Sequence, residues 1–202
     1  MNGVYPTPSI DPHERRWMMF VDGESFTSKA QRFARDEAIN LKQGDYHIPS
    51  VFVWLPGISA LSNMFQAGYM PVQSSAIRSY YYTSYTGDDT HYISARMALK
   101  KIGFQPEVFK RAKEDEPAKG VSIALVTDLI SHSFADNLDV AVVIAADGDY
   151  VSLIEEIKRI GKVVYVVFFN KYIDPKLGFA ADRFFDISQT FAETWSSSKA
   201  RP

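Results

Sequence analysis

Short apolar runs alternate with amphipathic stretches along most of the chain, a pattern typical of α/β proteins. Each run is short enough for a buried strand, and its continuous apolar character favours a parallel strand that is covered on both faces. The predicted strands are Trp17–Val21, Val51–Leu55, Ile77–Thr83, Val140–Ala145 and Val163–Phe169, with shorter ones at Val108–Phe109 and Phe184–Ile187.

The stretches between these runs carry apolar residues at helical spacing. The predicted helices are Ser25–Leu41, Tyr92–Ile102, Val121–Phe134, Tyr150–Ile160 and, after an N-cap at Ser188, a last helix through Trp195. Gly103 and Gly161 mark the ends of the second and the fourth of these helices. The alternation predicts one α/β domain built on a doubly wound, mainly parallel sheet that is flanked by helices.

The remaining segments set the expected domain limits. Residues 1–14 are predicted to be an N-terminal extension, residues 15–195 the folded domain, and residues 196–202 a disordered tail. The segment after Leu55 resembles a loop with apolar anchors, which would mark a homodimer or partner-protein surface if they were exposed. These anchors are Met64, Phe65, Tyr69 and Met70.

The composition is that of an ordinary globular protein, with 202 residues, 46% hydrophobic and 23% charged. No stretch approaches the ~20 apolar residues of a membrane span, and the N-terminus lacks the features of a signal peptide. We therefore expect a cytoplasmic protein without a membrane partner.

The absence of cysteine excludes disulfides, Cys-ligated zinc and thiol catalysis. A net charge of -2 argues against nucleic-acid binding by bulk electrostatics, although bound metal ions could supply positive charge locally.

Acidic residues directly follow two of the predicted strands. Asp22 and Glu24 follow the first strand, and Asp147 and Asp149 follow the strand that begins at Val140. Because ligands bind at the carboxyl ends of the strands in open parallel sheets, acids from two such ends can converge. Several carboxylates at one point require a cation between them, and Mg²⁺ or Mn²⁺ is the usual oxygen-seeking candidate. The pattern indicates metal-dependent chemistry on a phosphate group.

Five sequence blocks, in order, resemble the NYN family of PIN-like nucleases over about residues 15 to 190. The blocks are Phe20–Phe26, Arg78–Tyr82, Lys119–Asp128, Ala146–Tyr150 and Gly161–Val164. The resemblance implies a doubly wound sheet and a Mg²⁺ or Mn²⁺ site that acts on RNA. By position, Asp22 matches the acid after the first strand, Asp128 the helix acid, and Asp147 and Asp149 the acids after the Val140–Ala145 strand.

These matches imply a metal-dependent endoribonuclease whose substrate is single-stranded or structured RNA. Asp22, Asp128 and Asp147 would be the primary ligands and catalytic residues. Asp149 would be a further ligand or would orient water, and Glu24 is a weaker candidate. Each of these carboxylates also has a structural interpretation. Asp149 could be the N-cap of the next helix, and Asp22-Gly23 alone could be a turn that ends the strand. Asp128 could be a solvated helix residue, although its apolar flanks indicate partial burial.

The sequence departs from the family pattern in three places. Relatives often carry Asn at Ser25, Asp at Ser122 and Ser-Gly at Ala145-Ala146. Ser25 can still donate a hydrogen bond, whereas Ser122 removes a carboxylate and Ala145 a hydroxyl. A second hypothesis is therefore a catalytically weakened RNA-binding or regulatory protein. A third is a phosphohydrolase with Asp22 as nucleophile. It is the weakest of the three, because the chain shows no clear downstream threonine and lysine in the order that such an enzyme requires.

Two further features could form part of an RNA site. The tyrosines near Tyr81 could stack on bases, although tyrosine is also common in strands. Strand alternation would place Tyr80 and Tyr82 on one face and Tyr81 on the other. His132 lies one helical turn from Asp128, so it could approach the site or simply be a partly buried helix residue.

Overall fold

Six parallel strands form one sheet in the computed structural model, which describes residues 15–39, 76–111, 118 and 120–197, with side chains to residue 193. The strands are β1 (Trp17–Asp22), β2 (Arg78–Tyr85), β3 (Gln105–Lys110), β4 (Val140–Ile144), β5 (Val163–Phe168) and β6 (Arg183–Asp186). The helices are α1 (Gly23–Asp36), α2 (Asp89–Lys101), α3 (Val121–Phe134), α4 (Val151–Arg159), α5 (Pro175–Ala180) and α6 (Ser188–Ser197), and a short 3-10 helix (Gly148–Tyr150) precedes α4.

The strand order is β3-β2-β1-β4-β5-β6, and every neighbouring pair is parallel. The chain runs outward from β1 to β3 and then returns to the centre at β4, so the direction of winding reverses between β1 and β4. Ligands bind at such a reversal, beside the carboxyl ends of the strands. Asp22 is the last residue of β1, and Val21 pairs with Ile144, the last residue of β4. The fold therefore brings the two acid-bearing strand ends together.

A hydrophobic core lies on each face of the sheet. On one face, α1, α2 and α6 cover alternate strand residues such as Val21; on the other, α3, α4 and α5 cover Phe20 and its neighbours. The first core contains a cluster of aromatic rings in which Phe33 and Phe169 lie 4.7 Å apart, and Phe169 and Phe191 lie 5.0 Å apart. Because both faces are covered, the continuous apolar runs of β4 and β5 are fully explained.

The structure confirms the α/β class with a doubly wound parallel sheet, and α3 has the predicted bounds. Helix α1 begins earlier than predicted because Asp22 caps it, and it ends at Asp36 instead of Leu41. Helix α2 begins at Asp89 because the Asp88 side chain accepts a hydrogen bond from the Thr90 N–H. The short helix α5 was not predicted. The last helix runs two residues beyond the predicted Trp195.

Several sequence predictions lie outside the described residues. These are the N-terminal extension, the strand Val51–Leu55, the apolar anchors Met64, Phe65, Tyr69 and Met70, and the tail from residue 198. Within the described ranges, no helix is both long enough and apolar enough to cross a membrane.

Gly23, the first residue of α1, lies against β2. A Cβ atom there would be 2.1 Å from Cε1 of Tyr81 and 2.7 Å from the carbonyl oxygen of Tyr82. The Tyr81 ring is fully buried, so it has little room to move away. Only glycine allows the helix to start this close to the neighbouring strand.

We expect Gly23→Ala to lower the free energy of unfolding by about 1–3 kcal/mol, since an added methyl group in a packed core forces shifts of its neighbours. Ser28→Ala, at an exposed position of the same helix, should change it by less than about 0.5 kcal/mol. Urea unfolding of the two variants measures both effects. Equal stability of Gly23→Ala and wild type would contradict the close approach.

Candidate active site

Asp22 ends β1 and caps α1, because no loop separates the strand from the helix. Its Oδ1 accepts a hydrogen bond from the backbone N–H of Ser25 at 3.0 Å. Its Oδ2 accepts one from the Tyr150 hydroxyl at 2.9 Å. The residue is only 7% exposed. Two donors from different parts of the chain therefore hold this carboxylate in one orientation.

The surroundings of Asp22 disfavour its negative charge. Burial is the largest effect and raises its pKa, the hydrogen bonds from Ser25 and Tyr150 oppose this rise, and the charges of Glu24 and Asp147 add to it. None of these principal influences comes from a lysine or arginine. Since a buried charge is costly unless it is paired, a cation next to Asp22 would remove a large part of the cost.

Asp147 follows β4 and caps the 3-10 helix, where its Oδ1 accepts a hydrogen bond from the Asp149 N–H at 3.0 Å. The helix then brings Tyr150 back to Asp22. The structural interpretation of Asp149 as an N-cap is wrong, because Asp147 caps this turn and Tyr150 is the N-cap of α4. The carboxylates of Asp147 and Asp149 are left on the surface, since both residues are exposed.

Two cavities meet at Asp147. The first has a volume of about 430 Å³ and lies between α1 and the segment after β5; it is lined by Lys29, Arg32, Ala146, Asp147, Gly148, Lys171, Tyr172, Ile173 and Asp174. The second has a volume of about 260 Å³ and lies against α3; it is lined by Ser122, Ile123, Val126, Thr127, Asp147, Asp149 and Tyr150. Asp22 lies behind the second cavity and is bonded to Tyr150 in its wall.

Asp128 lines neither cavity. Its Oδ2 accepts a hydrogen bond from the Tyr82 hydroxyl at 2.9 Å, and Tyr82 pairs with Asp22 in the sheet. Burial and the nearby Asp128 charge together raise the pKa of Glu107 on β3. Asp128 is thus partly buried, as its apolar flanks predicted, and it is directed towards β2 and not into either cavity.

The tyrosines of β2 alternate as the sequence predicted. Tyr80 and Tyr82 belong to the α3 side, and Tyr81 to the opposite core. Tyr81 and Tyr82 are 0% exposed, so neither can stack on a base. His132 is hydrogen-bonded to the Tyr80 hydroxyl at 2.9 Å, which favours its interpretation as a partly buried helix residue.

Within the described parts of the chain, no three His, Asp or Glu side chains converge closely enough to hold a metal ion. Mg²⁺, however, is usually held by only one or two carboxylates together with water and substrate phosphate. Asp22 and the neighbouring Asp147 fit this chemistry, since they are oxygen donors of like charge with no cation among the principal influences on Asp22. Glu24 is less available, because it bonds to Ser84 and lies 3.6 Å from Nε of Arg111.

Sequence reasoning missed several residues of this region. Asp174 lines the first cavity and caps α5 through a 2.9 Å hydrogen bond from the Lys176 N–H. Its carboxylate lies over Gly148, where a Cβ atom would be 2.3 Å from Asp174 Oδ2. The pair Asp174-Pro175 is a recognisable helix start and could have revealed this element. No local sequence pattern identifies the three cations that line the cavity, Lys29, Arg32 and Lys171.

The departures from the family pattern are also explained in part. The Ser25 backbone, and not its side chain, holds Asp22. The Ser122 hydroxyl is hydrogen-bonded to Tyr150, so it supports the group that orients Asp22. Ala145 is fully buried in the core on the α3 side.

The sequence model of the NYN domain matches residues 16–188. Among solved structures, the chain is similar to a protein of unknown function from Vibrio parahaemolyticus, with a TM-score of 0.61 and 18% sequence identity. The match covers 89% of this chain and 96% of that chain, and it supports the fold alone. The comparison with curated proteins gives no match.

The raised pKa of Asp22 has a measurable effect on stability. An acid whose folded pKa is raised contributes stability that is complete below its unfolded pKa, about 4, and is lost as the pH rises through the folded value. In the presence of a chelator, Asp22→Asn should therefore gain stability relative to wild type as the pH rises from about 4 through the folded pKa of Asp22, by about 1.4 kcal/mol for each unit of the pKa rise.

Urea unfolding at several pH values measures this difference. Asp149→Asn removes an exposed carboxylate nearby and is the matched control. A difference between Asp22→Asn and wild type that stays constant with pH would show that burial does not raise the pKa of Asp22.

Proposed function

Since the chain belongs to the NYN domain family, which is nuclease-like, we propose that it is a metal-dependent ribonuclease that hydrolyses internal RNA phosphodiesters. The observation that carries this proposal is the state of Asp22. This carboxylate is 7% exposed, is oriented by two donors and is next to a second acid, with no lysine or arginine among the principal influences on its charge. Such an arrangement is costly for a structural residue and suits a cation ligand.

Asp22 and Asp147 would hold the Mg²⁺ or Mn²⁺ ion, and Asp149 would hold or orient water at the mouth of the second cavity. A bound divalent ion supplies positive charge for the phosphate and favours the deprotonation of water near neutral pH. Asp128 remains a candidate ligand in this proposal. It is less available to an ion than Asp22 or Asp147, because the Tyr82 hydroxyl already donates to its Oδ2.

The protein's own groups would prepare the site before RNA arrives. The Ser25 N–H and the Tyr150 hydroxyl fix the direction of the Asp22 carboxylate. Ser122 in turn is bonded to Tyr150. Preorganised groups lower the barrier because they need little rearrangement during the reaction. In this proposal the serine at position 122 serves as support for Tyr150, where relatives often carry a further carboxylate.

We expect Asp22→Asn and Asp147→Asn each to reduce RNA cleavage on the order of a hundredfold or more, because each removes charge that would hold the ion. The control is Asp136→Asn, which removes an exposed acid from the loop before β4, at the opposite edge of the sheet. Gel assays with single-stranded and structured RNA in Mg²⁺, Mn²⁺ or chelator measure the rates. Cleavage at the wild-type rate by both site variants would refute the ribonuclease proposal.

The cation itself provides a test that does not depend on activity. An ion that binds only the folded state stabilises it by RT ln(1 + [L]/Kd), or about 2.7 kcal/mol at one hundred times Kd. We expect Mn²⁺, and more weakly Mg²⁺, to raise the melting temperature of wild type but not of Asp22→Asn.

The same experiment separates a nuclease from a binding protein. If no ion changes the melting temperature and RNA binds equally well in chelator, the acids are structural. The chain would then be an RNA-binding member of the family without the chemistry.

A further inference from the structure

We propose that the cavity between α1 and the segment after β5 binds a backbone phosphate of the polynucleotide, adjacent to the phosphodiester at Asp147. This inference rests on the proposed function, and it adds the position of the substrate strand on the protein. The cavity volume, about 430 Å³, is within the range of about 300–1,000 Å³ that is usual for ligand sites. Asp147 forms part of its wall, so an occupant would be next to the proposed reaction site.

Three cationic side chains line this cavity: Lys29, Arg32 and Lys171. Lys29 and Arg32 are three residues apart on α1, so they project from the same face of the helix. Among the described residues, Lys29 has no hydrogen bond or ion pair, although it is half-buried. A cation without a carboxylate partner at a cavity wall is available for an anion, and a phosphate is the anion that a nuclease substrate provides.

Tyr172 keeps the other two cations in place. The guanidinium carbon of Arg32 lies 5.3 Å from the centre of its ring, and Nζ of Lys171 lies 5.5 Å from it. Asp36 accepts hydrogen bonds from Lys171 at 2.8 Å and from the Tyr172 hydroxyl at 2.5 Å. Lys171 is therefore neutralised by Asp36, whereas Arg32 contacts the ring and interacts with Asp36 through its charge alone. Since cations already occupy the ring, the cavity favours a phosphate over a stacked base.

The second cavity has the opposite character. Apart from Asp147 and Asp149, its wall consists of uncharged residues, including Ile123, Val126 and Thr127. No lysine or arginine lines it. Lysine and arginine side chains therefore line the cavity on the α1 side of Asp147 and not the one on the α3 side, although Asp174 adds a second acid to the α1-side wall. A strand bound across Asp147 would place its neighbouring phosphate on the α1 side, because lysine and arginine side chains line that cavity and not the one on the α3 side.

The test uses Lys29→Gln and Arg32→Gln in an Asp22→Asn background, which keeps the polynucleotide intact and leaves the cavity lining unchanged. Fluorescence anisotropy over a range of salt concentrations gives Kd for single-stranded RNA and for DNA of the same sequence. The salt slope is the slope of log Kd against log salt concentration, and each variant should reduce it by about 0.7, the value for one phosphate contact to a single strand. When salt is lowered from 1 M to 0.1 M, the affinity of the variant should therefore rise by a factor about fivefold smaller than that of the parent.

The control is Lys101→Gln, which removes an exposed lysine from the last turn of α2, at the amino edge of the sheet. It should leave the slope unchanged. Melting temperatures verify the fold of each variant, and Lys29→Gln is the safer of the two because Lys29 has no described partner.

Each cavity variant should weaken the binding of RNA and of DNA by the same factor, because both polymers carry the phosphate. A slope equal to that of Lys101→Gln, or a loss confined to RNA, would overturn the phosphate site. Cleavage by the wild-type protein is measured separately. Binding with the expected slopes but without cleavage would refute the ribonuclease proposal and retain the phosphate site.

Discussion

The direct passage from β1 into α1 at Asp22 is the constraint on which the rest of the site depends. With no loop between the two elements, the residue that ends the strand must also cap the helix, and its side chain is fixed by the Ser25 N–H. The close approach of Gly23 to Tyr81 then sets the position of α1 against β2. Tyr150 connects the same carboxylate to the segment after β4. One buried acid thus joins the two strand ends at the point where the direction of winding reverses.

The capping role alone does not explain an aspartate at this position. Asparagine and serine cap helices about as well as aspartate, with an effect of about 1 kcal/mol. A buried carboxylate adds a desolvation cost that an uncharged cap avoids. Glu24 and Asp147 increase this cost because they carry the same charge. Structural and chemical interpretations of Asp22 are therefore compatible, and the proposed cation would offset the cost of its charge.

Much of the fold could be predicted from the sequence because the signals were local. The apolar runs of β4 and β5 identify buried strands, and the stripe of α3 is long enough to define both of its ends. The end of α1 was predicted wrongly, because apolar residues continue past Asp36 while the backbone leaves the helix, and Ala38 has a positive φ of 51°. Helix α5 has only six residues, too few to show a helical period.

The candidate site was less predictable because it depends on contacts between distant parts of the chain. The acids after β1 and β4 were found because parallel strands bring their carboxyl ends to one edge. The helix position of Asp128 was also clear, but its hydrogen bond to Tyr82 depends on how α3 crosses β2. The cations Lys29 and Lys171 are separated by most of the chain, and each alone resembles a surface lysine.

The distribution of charge around Asp147 would reconcile a slightly acidic protein with the anionic substrate that we propose. A net charge of -2 gives no general attraction for RNA. Three cations instead line one cavity beside Asp147, where Tyr172 contacts Arg32 and Lys171 and Asp36 bonds to Lys171. Because the two cavities share Asp147 but differ in their charged residues, the fold would distinguish the two sides of the proposed strand. Local placement of a few cations can therefore orient a polynucleotide where overall charge cannot.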